Sequence, residues 1–142
     1  MSYEQIDFIC DSYNPTLFII VLLMIGLGIK SRGGRDSAKV GGIFLASVVT
    51  SYLIVALERK VGAWGYFGMD FSTHTMISIV FASWIWRLAP STTVLSLVGS
   101  TTLIYWGAMV YQKYHSIQDI LTTAVITGGV IYLFVFWLYK KI

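Results

Sequence analysis

The chain reads as long apolar runs separated by short stretches that hold most of its charges. A bilayer core about 30 Å thick takes about 20 helical residues to cross. The apolar runs predict five spans, from about Pro15 to Ile29, Val40 to Leu57, Phe71 to Trp86, Leu88 to Gln112 and Ile120 to Tyr139. The first and third are short. Either neighbouring polar residues enter the interface, or these helices begin inside a protein-lined cavity. Gly26, Gly28, Gly41, Gly42, Gly128 and Gly129 predict close approach between helices. The expected fold is an all-α polytopic membrane bundle of about five transmembrane helices.

Composition narrows the classes. Of 142 residues, 56% are hydrophobic and 12% charged, too few charges to clothe a soluble domain. One integral-membrane domain, residues 1–142, is expected, with no low-complexity linker and no repeat. The net charge of +3 sits beside apolar runs rather than in an aromatic-interleaved basic stripe, so it argues for membrane orientation and against nucleic acid. The single cysteine, Cys10, permits neither an internal disulfide nor a cysteine metal site. Met1 to Asn14 carries Glu4, Asp7 and Asp11 without a basic segment, so it does not read as a cleaved signal peptide.

If the spans alternate, Lys30, Arg32, Arg35, Lys39, Arg87, Lys140 and Lys141 share one side, and Arg59, Lys60 and Lys113 the other. Basic residues favour the cytoplasmic side, so the C-terminus is expected there. The N-terminus and the loops around Glu58–Asp70 and Lys113–Asp119 are then periplasmic, in a bacterial inner membrane or its equivalent. Lys30-Ser31-Arg32-Gly33-Gly34-Arg35 superficially suggests phosphate binding but lacks the Walker lysine pattern and is expected to anchor topology. Trp64, Tyr66, Phe67, Tyr105, Trp106, Tyr111, Tyr114, Trp137 and Tyr139 fall mainly near span ends and predict an interfacial belt.

The same alternation gathers chemistry at the outer face. Asp70, Ser72 and His74 open the third span, His115 and Asp119 open the fifth, and Arg59 with Lys60 closes the second. Ionisable groups at membrane depth are costly and face a bundle interior or a wet cavity, which marks them as candidates. His115 and Asp119 are four apart, so on a helix the carboxylate can fix which imidazole nitrogen is free. Two imidazoles, an orienting acid and cationic donors at Arg59 and Lys60 make a workable phosphoryl-transfer site: a nucleophile, a general acid and charge neutralisation. Asp70, just before Phe71, also reads as a helix N-cap.

These residues resemble the type 2 phosphatidic acid phosphatase (PAP2) superfamily, whose motifs are K-x6-R-P, P-S-G-H and S-R-x5-H-x3-D. Phe71-Ser72-Thr73-His74 looks like the second motif with Phe and Thr for Pro and Gly, and His115-Ser116-Ile117-Gln118-Asp119 fits H-x3-D. The S-R positions fall on Ala108 and Met109, and in the first motif Arg59 is retained while Tyr52 and Lys60 stand for the lysine and proline. Gly68 to Thr75 with His115 to Asp119 is also similar to the sphingomyelin synthase branch, which transfers a phosphorylated head group. The resemblance covers Tyr52 to Asp119. It implies a PAP2-like core in which His115 attacks phosphorus, Asp119 orients it and His74 protonates the leaving oxygen. Arg59, Lys60 and Ser72 would bind phosphate, and with methionine at the arginine position Lys113 or Lys60 would contribute. The implied activity is a lipid phosphatase or head-group phosphotransferase that needs no cofactor or metal, with a membrane lipid phosphate as its substrate.

Two other classes compete. Asp70-x3-His74 and His115-x3-Asp119 form two ligand pairs that a divalent metal could close for water activation. The departures from the motifs instead suit a non-catalytic membrane scaffold.

Overall fold

The structure is a computed structural model that describes residues 2–139, with the side chains of 132 and 134–139 outside that description. Lys140 and Lys141, counted above on the basic side, and the side chains of Trp137 and Tyr139 lie outside the described residues. All regular structure among the described residues is helical: α1 (Tyr3–Leu27), α2 (Ile29–Arg32), α3 (Gly34–Val61), α4 (Ala63–Tyr66), α5 (Thr73–Leu88), α6 (Thr92–Tyr111) and α7 (Ile117–Tyr139).

Three segments, Tyr3–Arg32, Gly34–Val61 and Thr92–Tyr111, are long and apolar enough to cross a membrane. Large apolar side chains such as Leu23, Leu53, Leu57, Ile104 and Val125 stand exposed on the outside of the bundle, as lipid contact requires and water would penalise. The chain is an all-helical integral membrane protein.

The first span is not short. α1 begins twelve residues before Pro15, because Ser2 and Gln5 form a reciprocal capping box: the Gln5 amide N–H donates to Ser2 Oγ (3.3 Å), and the Ser2 N–H donates to Gln5 Oε1 (2.9 Å). Glu4, Asp7 and Asp11 ride on this helix, which continues through Pro15. α3 and α7 likewise start earlier than their apolar runs. The α5–α6 break falls at Ala89–Ser91 rather than Arg87. Pro90 cannot continue a helix, and Ser91 Oγ accepts the Val94 N–H (3.1 Å) to start the next.

The helix at the third expected span is short, and its position explains why. α5 has 16 residues, about 24 Å of helix, and packs against α1, α3, α6 and α7. Met76, Val80, Phe81 and Trp84 on it are buried. A helix ringed by others need not match the bilayer thickness. Around it, Phe18, Phe44, Phe81 and Trp84 form an aromatic cluster with ring centres 5.6–5.9 Å apart.

Small polar side chains join the helices. Trp84 Nε1 donates to Ser47 Oγ on α3 (3.3 Å), and Trp106 Nε1 on α6 donates to Ser78 Oγ (3.0 Å). The Tyr13 and Thr102 hydroxyls lie 2.9 Å apart between α1 and α6. In hydrocarbon, where no water competes, such bonds satisfy groups that would otherwise be stranded. The glycines contribute less than expected. A Cβ at Gly128 would meet Ile79 on α5 at 3.4 Å and one at Gly41 would meet Ile25 at 3.9 Å, whereas one at Gly26, Gly42 or Gly129 would meet nothing within 4 Å.

Candidate functional site

One end of the bundle collects the start of α1, the end of α3, α4, the start of α5, the α6–α7 loop and the start of α7. Gln112 Nε2 donates to the Tyr3 carbonyl (2.9 Å), and the Tyr3 hydroxyl donates to the Gln112 carbonyl (3.2 Å). The Tyr114 hydroxyl donates to Asp7. Trp64 Nε1 donates to Thr122 Oγ1 (3.1 Å), and the Trp64 ring meets Phe71 edge-on at 4.8 Å. Trp64 is therefore a clamp between α4 and α7, and Tyr105 is buried. Tyr66, Phe67 and Tyr111 remain exposed.

At this end lies a cavity of about 540 Å³ whose wall includes Glu58, Arg59, Asp70, Thr73, His74 and His115. The sequence placed Arg59, Asp70, His74 and His115 on one face, and the fold brings all four to one cavity. Other expected residues go elsewhere. Lys60 and Lys113 do not line the cavity. Neither does Ser72, which is fully buried as the N-cap of α5: Ser72 Oγ accepts the Thr75 N–H (3.2 Å) and lies 2.8 Å from Thr75 Oγ1. Asp70 is thus not the cap. Met109, which the motif resemblance set against an arginine, is buried with Cys10, Tyr105 and Ile120. Glu58 is a wall residue the motifs gave no reason to choose; its Oε1 accepts the Trp64 N–H (2.9 Å) just beyond the α3 terminus.

The two histidines reach the cavity from different supports. His74 sits in the first turn of α5 with its side chain exposed. Its backbone carbonyl accepts from Asn14 Nδ2 (3.2 Å), which also reaches the Tyr105 hydroxyl (3.2 Å), so α1 and α6 hold the turn that carries it. His115 lies on the α6–α7 loop, two residues ahead of α7. Ring centres of His74 and His115 are 6.3 Å apart.

Because His115 precedes the helix, the expected one-turn pairing with Asp119 does not form. Ser116 and Asp119 instead cap α7 reciprocally: the Ser116 N–H donates to Asp119 Oδ2 (2.8 Å), and the Asp119 N–H donates to Ser116 Oγ (3.1 Å). Asp119 Oδ1 accepts the Asp70 N–H (2.7 Å). The carboxylate beside His115 is that of Asp70, with Oδ2 3.5 Å from Nδ1. Burial pushes His115 below the ordinary histidine range, with Asp70 and Asp119 opposing and His74 adding to the shift. That shift favours the neutral imidazole, the form that can act as a base or nucleophile.

Glycine geometry sets the approach to this loop. The α4 turn ends with the Met69 N–H on the Trp64 carbonyl (3.0 Å) and the Gly68 N–H on the Gly65 carbonyl (3.0 Å), with Gly68 at φ +68°. That left-handed step turns the chain toward Asp70 at no Cβ cost.

Among the described residues no three His, Cys, Asp or Glu side chains come together as a metal would require, so the four-ligand set is not assembled. No protein-family model, curated protein or solved structure matches the chain.

Proposed function

We propose that the chain is a membrane lipid phosphatase, acting through a phosphohistidine on His115 at the periplasmic end of a five-span, PAP2-like bundle. The observation that carries this is the pair of imidazoles on one cavity wall, ring centres 6.3 Å apart, with Arg59 lining the same cavity. Two imidazoles on one cavity wall can flank a phosphoryl group, one as the nucleophile and the other as the acid for the leaving oxygen. His115 attacks phosphorus as the P–O bond to the lipid breaks. His74 gives its proton to the leaving oxygen, then takes one from the water that hydrolyses the phosphohistidine and restores His115. Arg59 neutralises phosphoryl oxygens; Lys60, Lys113 and Ser72 are left out because none lines the cavity.

A non-catalytic membrane protein is the second reading, favoured by the burial of Ser72 and Met109 in packing and capping roles. One experiment separates the two. Purified protein is incubated with a panel of phospholipids and polyprenyl phosphates, and free phosphate and new lipid species are both scored, with and without chelator. Phosphate release that survives chelator is expected, since neither attack by His115 nor protonation by His74 needs a Lewis acid. A new phospholipid without free phosphate would assign head-group transfer. Loss in chelator with recovery on adding zinc would assign a metal-dependent hydrolase, and no turnover of any lipid would leave the scaffold.

A further inference from the structure

The two carboxylates near His115 do different things. Asp119 is buried, and each of its oxygens accepts a backbone N–H, one from Ser116 and one from Asp70. It ties the α6–α7 loop, which carries His115, to the α4–α5 loop, which carries Asp70. The Asp70 side chain is 77% exposed on the cavity wall, while the His115 side chain is only 10% exposed. His115 Nδ1 is buried without a hydrogen-bond partner, and an Asp70 carboxylate oxygen lies 3.5 Å from it. An exposed carboxylate closes such a gap by a small side-chain rotation, and gaps of this kind tighten when a site fills.

We infer that Asp70 is the positioning residue for His115, and that Asp119 acts one step back as the clamp that sets Asp70 in place. In this arrangement the Asp70 carboxylate accepts the Nδ1–H, so Nε2 is the unprotonated nitrogen turned to the substrate. The orienting acid comes from a separate loop, across 45 residues of sequence, rather than from the helix that follows the histidine. The inference rests on His115 being the nucleophile, but its test does not require turnover.

The chain has two histidines, so nitrogen NMR of 15N-histidine-labelled protein in micelles resolves them, with His74→Gln supplying the assignment. Besides Asp70, the charged and titratable groups around His115 are His74, Asp119, Arg59 and Glu58. The expected result is an Nδ1–H tautomer for neutral His115, against the Nε2–H preference of a free imidazole. Asp70→Asn, at an exposed side chain that the fold does not need, should return the Nε2–H signal and move the His115 titration to lower pH, because a carboxylate that favoured the imidazolium is gone. Asp70→Glu should restore the Nδ1–H form. The Asp70 amide should be protected from hydrogen exchange in the unaltered protein. An Nε2–H tautomer in the unaltered protein, or an Nδ1–H tautomer and titration unmoved by Asp70→Asn, would overturn the role of Asp70; an unprotected Asp70 amide would overturn the clamp. If the spectra behave as expected and no lipid phosphate is turned over, the proposed function fails and the pairing stands.

Discussion

The two ends of the bundle use polar residues in opposite ways. At the cavity end, side chains bond across the fold: Gln112 to Tyr3, Tyr114 to Asp7, Trp64 to Thr122 and Asp119 to Asp70. At the other end, the bonds described for the basic stretch Lys30–Lys39 are local. Lys39 pairs with Asp36 one turn away at 3.0 Å, the Ser31 hydroxyl donates to the Gly28 carbonyl, and Arg32 reaches the Met24 carbonyl. Cross-element bonds fix the relative position of loops, which a reaction site needs and a charged membrane anchor does not. The cavity end is built to hold side chains in register, and the basic end to face a charged surface.

The sharpest way to break that contrast is to remove the chemistry from the cavity end. His115→Ala should cut turnover of every lipid phosphate by at least about 10³-fold, the usual scale for a lost nucleophile. His74→Ala should lose about 10²- to 10⁴-fold on alkyl phosphates yet keep a measurable rate on an aryl phosphate, whose leaving oxygen needs little protonation. Phosphate release measures both. Turnover by folded His115→Ala at the unaltered rate would make the cavity end structural only.

Reporter fusions test which end faces which compartment. Alkaline phosphatase fused after Lys60 should be active and after Arg35 inactive, because a basic stretch such as Lys30–Lys39 favours the cytoplasmic side. The reverse pattern would turn the bundle over and move the site to the cytoplasmic face.

A smaller effect compares one acid from each end. Asp119→Ala strands two backbone N–H groups and removes half of the α7 capping box, which should cost about 1–3 kcal/mol and lower the unfolding temperature in detergent. Asp36→Ala removes an exposed one-turn ion pair and should change stability by less than about 0.5 kcal/mol. Equal effects would erase the difference between built and anchoring ends.

The sequence exposed this contrast unevenly. Apolar run length located α1, α3, α5, α6 and α7, three of whose segments are long and apolar enough to cross a membrane, and alternation brought Arg59, Asp70, His74 and His115 to one end, because both rest on run length and on chain connectivity. Helix starts were lost where capping overrides hydropathy: Ser2 with Gln5 carries α1 back through three acidic residues, and Ser116 with Asp119 opens α7 earlier than its apolar run. The second error had a chemical consequence. The i,i+4 argument assumed that His115 was already helical, yet Ser116 followed three residues later by an acid is a capping signal that places His115 outside the helix. Glu58 and the clamp from Asp119 to Asp70 depend on where loops meet, which no local spacing encodes.

A further prediction concerns Lys113, drawn into the phosphate site by its charge. It follows the end of α6 at φ +60°, the non-glycine residue with positive φ among those described. Its N–H donates to the Val110 carbonyl and the Tyr114 N–H to the Met109 carbonyl, both at 3.0 Å, a helix stop that places Lys113 at the position glycine usually fills. A side chain there costs about 1–2 kcal/mol, of which glycine's extra unfolded-state freedom returns about 0.5–1 kcal/mol. Lys113→Gly should therefore raise stability by roughly 0.5–1 kcal/mol, read as a small rise in unfolding temperature, and leave KM for a lipid phosphate unchanged because Lys113 does not line the cavity. A raised KM at unchanged kcat would mean that the ammonium reaches substrate, which would extend the cavity end's cross-fold network to the α6–α7 turn and return Lys113 to the phosphate site.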